Sequence, residues 1–126
     1  MGLSPARAAA LILVPGRTLA ARPVLAFEGR YAAGDKLYSQ ALTITKSGPR
    51  LRGKASVATR GCVGEFDGTG GPKGDTLLLP AAVDGLECRL TVRRAAGSTI
   101  VVDEDQCLTF HGAACEFSGT YKRQAR

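Results

Sequence analysis

The four cysteines and the single histidine are the residues of this chain whose types and spacing could do chemistry. Cys107, His111 and Cys115 stand four residues apart in Cys107-Leu-Thr-Phe-His-Gly-Ala-Ala-Cys115, with Cys62 and Cys88 upstream. Two chemistries use such a set. Thiolates and an imidazole can hold zinc, and paired thiols can oxidise to disulfides. The spacing favours the second. Neither a Cys-x-x-Cys knuckle nor a closely spaced histidine pair is present, and Gly112 is poor in the helix that would align three ligands. Four cysteines in a short chain with an export-like start read as two disulfides, with no metal or other cofactor. Cys62–Cys88 with Cys107–Cys115 is the preferred pairing, because a strand meander brings each pair together and the second bridge closes a small hairpin. His111-Gly112 is then the solvated tip of that hairpin, with Gly112 at positive φ.

No catalytic constellation stands out. A Gly-x-Ser-x-Gly elbow is missing. Gly61-Cys-Val-Gly64 and Gly68-Thr-Gly-Gly71 lack the Lys-Ser/Thr ending that grips phosphate. Glu65, Asp67, Glu116 and the run Asp103-Glu104-Asp105 supply carboxylates, but strand and turn residues of this kind are common. The expectation is a protein that is not an enzyme.

The elements that would position these residues are short strands. Tyr38, Gln40, Leu42 and Ile44 alternate with Ser39, Thr43 and Thr45. Leu51 to Thr59 alternates again. Leu86, Cys88, Leu90 and Val92 against Glu87, Arg89, Thr91 and Arg93 is the clearest half-buried strand. This period of two marks a strand with one face in the core. Further strands are expected at Cys62–Gly68, Asp75–Leu79, Thr99–Asp103 and Ala114–Tyr121, with turns at Ser47-Gly-Pro49 and Gly70–Gly74. The predicted fold is all-β: a small antiparallel meander barrel of about eight strands at short, even spacing, braced by two disulfides. A five-residue repeat runs through it. Glu65-Phe-Asp-Gly-Thr69 recurs as Glu116-Phe-Ser-Gly-Thr120, and Phe27-Glu-Gly-Arg-Tyr31 is related.

The 126 residues fit one domain. Residues 1–26 read as a signal peptide, with Arg7 ahead of the apolar run Ala8–Val14 and Val24-Leu-Ala26 as a small-residue cleavage motif. The expected domain is 27–126. The apolar run is too short to span a membrane. The formal charge is +6, from 17 basic and 11 acidic residues. Arg7, Arg17 and Arg22 fall in the leader, so the domain itself carries +3. That mixed surface, without aromatics interleaved in a basic stripe, does not suggest nucleic-acid binding. Disulfides and leader together predict a periplasmic or secreted protein.

The leader, the strand count, the cysteine-bounded C-terminal segment and the ending Ser118-Gly-Thr-Tyr121 resemble periplasmic inhibitors of c-type lysozyme. Those proteins are small disulfide-braced β-barrels with a Ser-Gly-x-x-Tyr loop; this chain has Ser-Gly-x-Tyr. The resemblance implies a non-catalytic partner-binding protein whose partner is a lysozyme or other peptidoglycan hydrolase. It implies Ser118, Tyr121 and Lys122 as contact residues. The plainer alternative is a final strand whose outward residues meet water. Other readings are an envelope structural or small-ligand-binding barrel, and a Cys/His metal-binding module.

Overall fold

The structure, a computed structural model, describes residues 27–125. The expected signal peptide lies outside the described residues. Eight strands follow one another: β1 Gly29–Gly34, β2 Tyr38–Ser47, β3 Arg50–Thr59, β4 Val63–Lys73, β5 Thr76–Val83, β6 Leu86–Arg94, β7 Thr99–Asp105 and β8 Gly119–Arg123. Each pairs antiparallel with the next. β8 returns to β1 through Tyr31↔Arg123 and Ala32↔Lys122, which closes the barrel.

Alternation places the side chains. On β6, Cys88, Leu90 and Val92 point inward while Arg89 and Arg93 point out. Tyr31, Leu42, Ile44, Leu51, Phe66, Leu77, Leu79, Ile100 and Tyr121 fill the interior from the other strands. The filling is tight: a methyl group at Gly53 would lie 2.5 Å from Leu79 Cδ1. Charged pairs line the outside instead, with Arg52–Asp67, Arg89–Asp105 and Arg93–Asp103 bridging neighbouring strands. No helix among the described residues is long and apolar enough to cross a membrane.

The β5–β6 connection is a two-residue turn, with Asp84 at φ 54° and Gly85 at φ 79°. Positive φ at both central residues matches the twist of the strands it joins.

Two expected boundaries move. Gly70–Gly74 is not a turn cluster, because β4 continues to Lys73. Gly68 and Gly70 are needed there because β5 approaches closely; a Cβ at Gly70 would collide with the Leu78 carbonyl oxygen at 1.8 Å. The last strand begins at Gly119, not Ala114. The intervening residues do not form a hairpin; they fold across the barrel mouth as a cap containing one 3₁₀ turn, Leu108–Phe110.

Because every strand runs antiparallel to the next, the connections β1–β2, β3–β4, β5–β6 and β7–β8 share one end of the barrel. This is the capped end. The other three connections share the opposite end with residues 27–28 and 124–125.

Candidate functional site

The disulfides are Cys62–Cys115 and Cys88–Cys107, not the predicted Cys62–Cys88 and Cys107–Cys115. Strand register explains the change. Arg89 pairs with Asp105, so Cys107 leaves β7 beside Cys88 on β6, with a Cα–Cα distance of 4.6 Å. The chain then crosses the mouth. At β4 a single bridge between Gly64 and His111 docks it, and Cys115 meets Cys62 just before that strand. β4 is open to this docking because β5 pairs with it only from Gly71 to Lys73. All four thiols are consumed, so the metal-module alternative has no thiolates to offer.

His111 is not a solvated tip. Its side chain is 2% exposed, and the ring stands edge-on to Phe117, with centroids 5.1 Å apart. Nδ1 faces the Gly112 carbonyl oxygen at 2.6 Å, while Nε2 faces both Glu104 carboxylate oxygens, at 3.0 and 2.9 Å. Both neighbours are acceptors, so both ring nitrogens donate and the ring is an imidazolium beside a carboxylate. Burial on its own lowers the imidazole pKa. The hydrogen bonds to Glu104 and Gly112 and the charges of Glu104 and Glu116 outweigh it, and the pKa is raised. Gly112 is required for proximity rather than for positive φ: a Cβ there would lie 2.8 Å from Cys62 Sγ.

Glu104 organises the rest of the cap. Its Oε1 accepts from the Phe117 amide at 2.6 Å, and its own amide donates to Ser118 Oγ at 2.9 Å. Gln40 Nε2 donates to the carbonyls of Glu116 and Ser118, and Tyr38 OH accepts from the Glu116 amide. A parity signal for these residues was present in the sequence. Gln40 lies in phase with Leu42 and Ile44, and Glu104 in phase with Ile100 and Val102.

The three residues proposed for partner contact separate. Ser118 is half-buried in the cap network. Tyr121 is in the core, where its hydroxyl donates to the Phe117 carbonyl at 2.7 Å and burial drives the phenol pKa far upward. Only Lys122 points outward. Tyr31 makes the same bond to the Phe27 carbonyl at 2.9 Å. The related stretches Phe27-Glu-Gly-Arg-Tyr31 and Phe117-Ser-Gly-Thr-Tyr121 are thus one structural device used twice, in adjacent strands.

The capped end has a distinct surface. Among the described residues the exposed large hydrophobic residues are Leu37, Val63, Val83, Leu86 and Leu108, and every one lies on a connection or at a strand end on this side of the barrel. Asp35, Asp84, Glu87 and Glu116 lie at the same end, against Lys36 and Arg60, while Asp105 is paired with Arg89. A cavity of about 410 Å³ opens in the cap between Tyr38, Leu108, Ala114 and Glu116, with His111 and Glu104 at its wall. The opposite end is basic, with Arg30, Lys46, Arg50, Lys73, Arg94 and Arg123 against Glu28 and Asp75. Comparisons with protein families, with curated proteins and with solved structures found no match for this chain.

Proposed function

We propose that this chain is an exported, non-catalytic binding protein that docks through its capped end onto a basic partner, a lysozyme-like cell-wall hydrolase. The coincidence of exposed apolar side chains and excess acid at one end carries the reading. Exposed apolar groups gathered in one region mark interaction surfaces, whereas scattered ones need no explanation. The surrounding carboxylates suit a cationic enzyme and would steer its approach, although the domain as a whole is basic. The two disulfides pin the cap to β6 and to the β3–β4 connection, which lowers the ordering cost of binding there. They are also compatible with an oxidising compartment, and so with an envelope or secreted location.

Within this proposal Ser118 and Tyr121 act from behind, holding Glu116 and Phe117 in place. Lys122 lies lower on the barrel wall, beside Thr99 and Ala32. A ligand inside the barrel is disfavoured by the packed interior.

The test is inhibition of c-, g- and i-type lysozymes by the oxidised protein, with co-elution on size exclusion. The proposal expects inhibition of at least one basic lysozyme at micromolar concentration, weakening as salt is raised. No inhibition and no co-elution with any of the three would overturn it.

A further inference from the structure

The basic end holds an arginine pair that the capped-end reading does not use. The other arginines bridged across the barrel wall are each neutralised by an aspartate: Arg52 by Asp67, Arg89 by Asp105 and Arg93 by Asp103. Arg94, next in line on β6, has no hydrogen bond or ion pair among the described residues. Its guanidinium stacks on the Phe27 ring, 5.7 Å from the centroid. Arg123 lies over the neighbouring Tyr31 ring at 5.0 Å. Its guanidinium also donates to the Tyr31 hydroxyl at 2.8 Å and to the Glu28 carbonyl, which fixes its position. Two like charges are therefore held on aromatic supports beside one pocket of about 240 Å³, which the Gly97–Ser98 turn completes.

That turn presents donors. The Ala96 carbonyl accepts from Thr99, and the Ser98 carbonyl accepts from the Arg123 amide. The Ala96 and Ser98 carbonyls are thus engaged, while the exposed Gly97 and Ser98 amides and the Ser98 hydroxyl have no partner among the described residues. Gly97 sits at φ 65°. Successive exposed amides near a left-handed residue form an anion-binding concavity, and guanidinium is the side chain best matched to phosphate oxygens.

We propose that this pocket binds a phosphate group, either free or as the headgroup of an anionic lipid. Arg94 and the Ser98 hydroxyl are the binding groups, and Arg123 is the fixed charge behind them. The site lies at the end of the barrel away from the cap, so it is independent of partner docking there.

The test titrates inorganic phosphate into the whole oxidised protein, followed by amide resonances and calorimetry, and in parallel measures co-sedimentation with phosphatidylglycerol vesicles and with phosphatidylcholine vesicles. Phosphate should shift the Gly97 and Ser98 amides. Arg94→Gln should weaken phosphate binding roughly tenfold, and Ser98→Ala less, while Arg50→Gln, a charge at the same end outside the pocket, should leave it unchanged. Vesicle binding that phosphate competes away identifies the lipid source. Phosphate binding without vesicle binding identifies the free anion. Unmoved Gly97 and Ser98 amides at millimolar phosphate would overturn the proposal, and so would equal losses in Arg50→Gln and Arg94→Gln, which would indicate diffuse charge attraction only.

Discussion

The Glu104 carboxylate holds the His111 imidazolium from inside the barrel mouth, at 2.9 Å, while the Gly112 carbonyl holds its other nitrogen. An acid from the inward face of β7 and a base from the cap thus meet with little of either side chain exposed. Neutralising Glu104 would leave the imidazolium buried with no charge partner, although a glutamine oxygen could still accept from the Phe117 amide. Glu104→Gln should cost about 3–5 kcal/mol of stability, read from urea unfolding.

The same pair sets a pH dependence. The folded His111 pKa lies above its ordinary value of 6.5. Its stabilising contribution is therefore complete below the unfolded pKa and is lost as pH rises through the elevated folded value. Unfolding midpoints should fall on the alkaline side of neutrality relative to mildly acidic pH. His111→Gln should flatten that part of the profile; an equal fall in the variant would assign the effect to other groups.

The two disulfides close loops of different size, with sequence separations of 53 for Cys62–Cys115 and 19 for Cys88–Cys107. Chain entropy alone makes them worth about 4 and about 3 kcal/mol. Paired alanine variants of each should show that order in chemical denaturation. Peptide mapping under non-reducing conditions should recover a fragment joining Cys88 to Cys107.

Tyr121 serves stability. Tyr121→Phe removes the donor to the buried Phe117 carbonyl and should cost about 1–2 kcal/mol. Affinity for a partner docked at the capped end should be unaffected once the variant is folded. A binding loss at unchanged stability would return Tyr121 to the contact surface.

The apolar rim should behave in the opposite way. Leu37, Val63 and Leu108 are 71%, 70% and 69% exposed, so serine at each should change stability by no more than about 0.5 kcal/mol. If the capped end docks a partner, at least one of these variants should weaken inhibition about tenfold. Variants as potent as the parent would move the contact surface elsewhere.

Side-chain parity along the strands was legible in the sequence, because in a strand the face a residue occupies depends only on its position in a two-residue repeat. Hence seven of the eight strands, the inward row Cys88-Leu90-Val92 and the turn at Gly48-Pro49 can be read without a structure; β1 escapes, because Tyr31 is its single buried residue and no alternation marks it. So can the paired Phe-x-Gly-x-Tyr stretches, although not the hydrogen bond they share. The Cys107–Cys115 segment resisted that reading. It is neither helix nor strand, so no repeat constrains it, and a short spacing between two cysteines suggests a local bridge. Its path is decided by distant partners: β6 beside β7 brings Cys88 to Cys107, and the β4 edge that β5 leaves unpaired brings Cys62 to Cys115. His111 is buried for the same reason, because Glu104 meets it only after the cap has crossed the mouth. Local composition thus determined an all-β chain with two bridges. Tertiary contacts alone decided which cysteines pair, that the lone histidine is buried against Glu104, and that exposed apolar and acidic side chains from four separate connections share one end of the barrel.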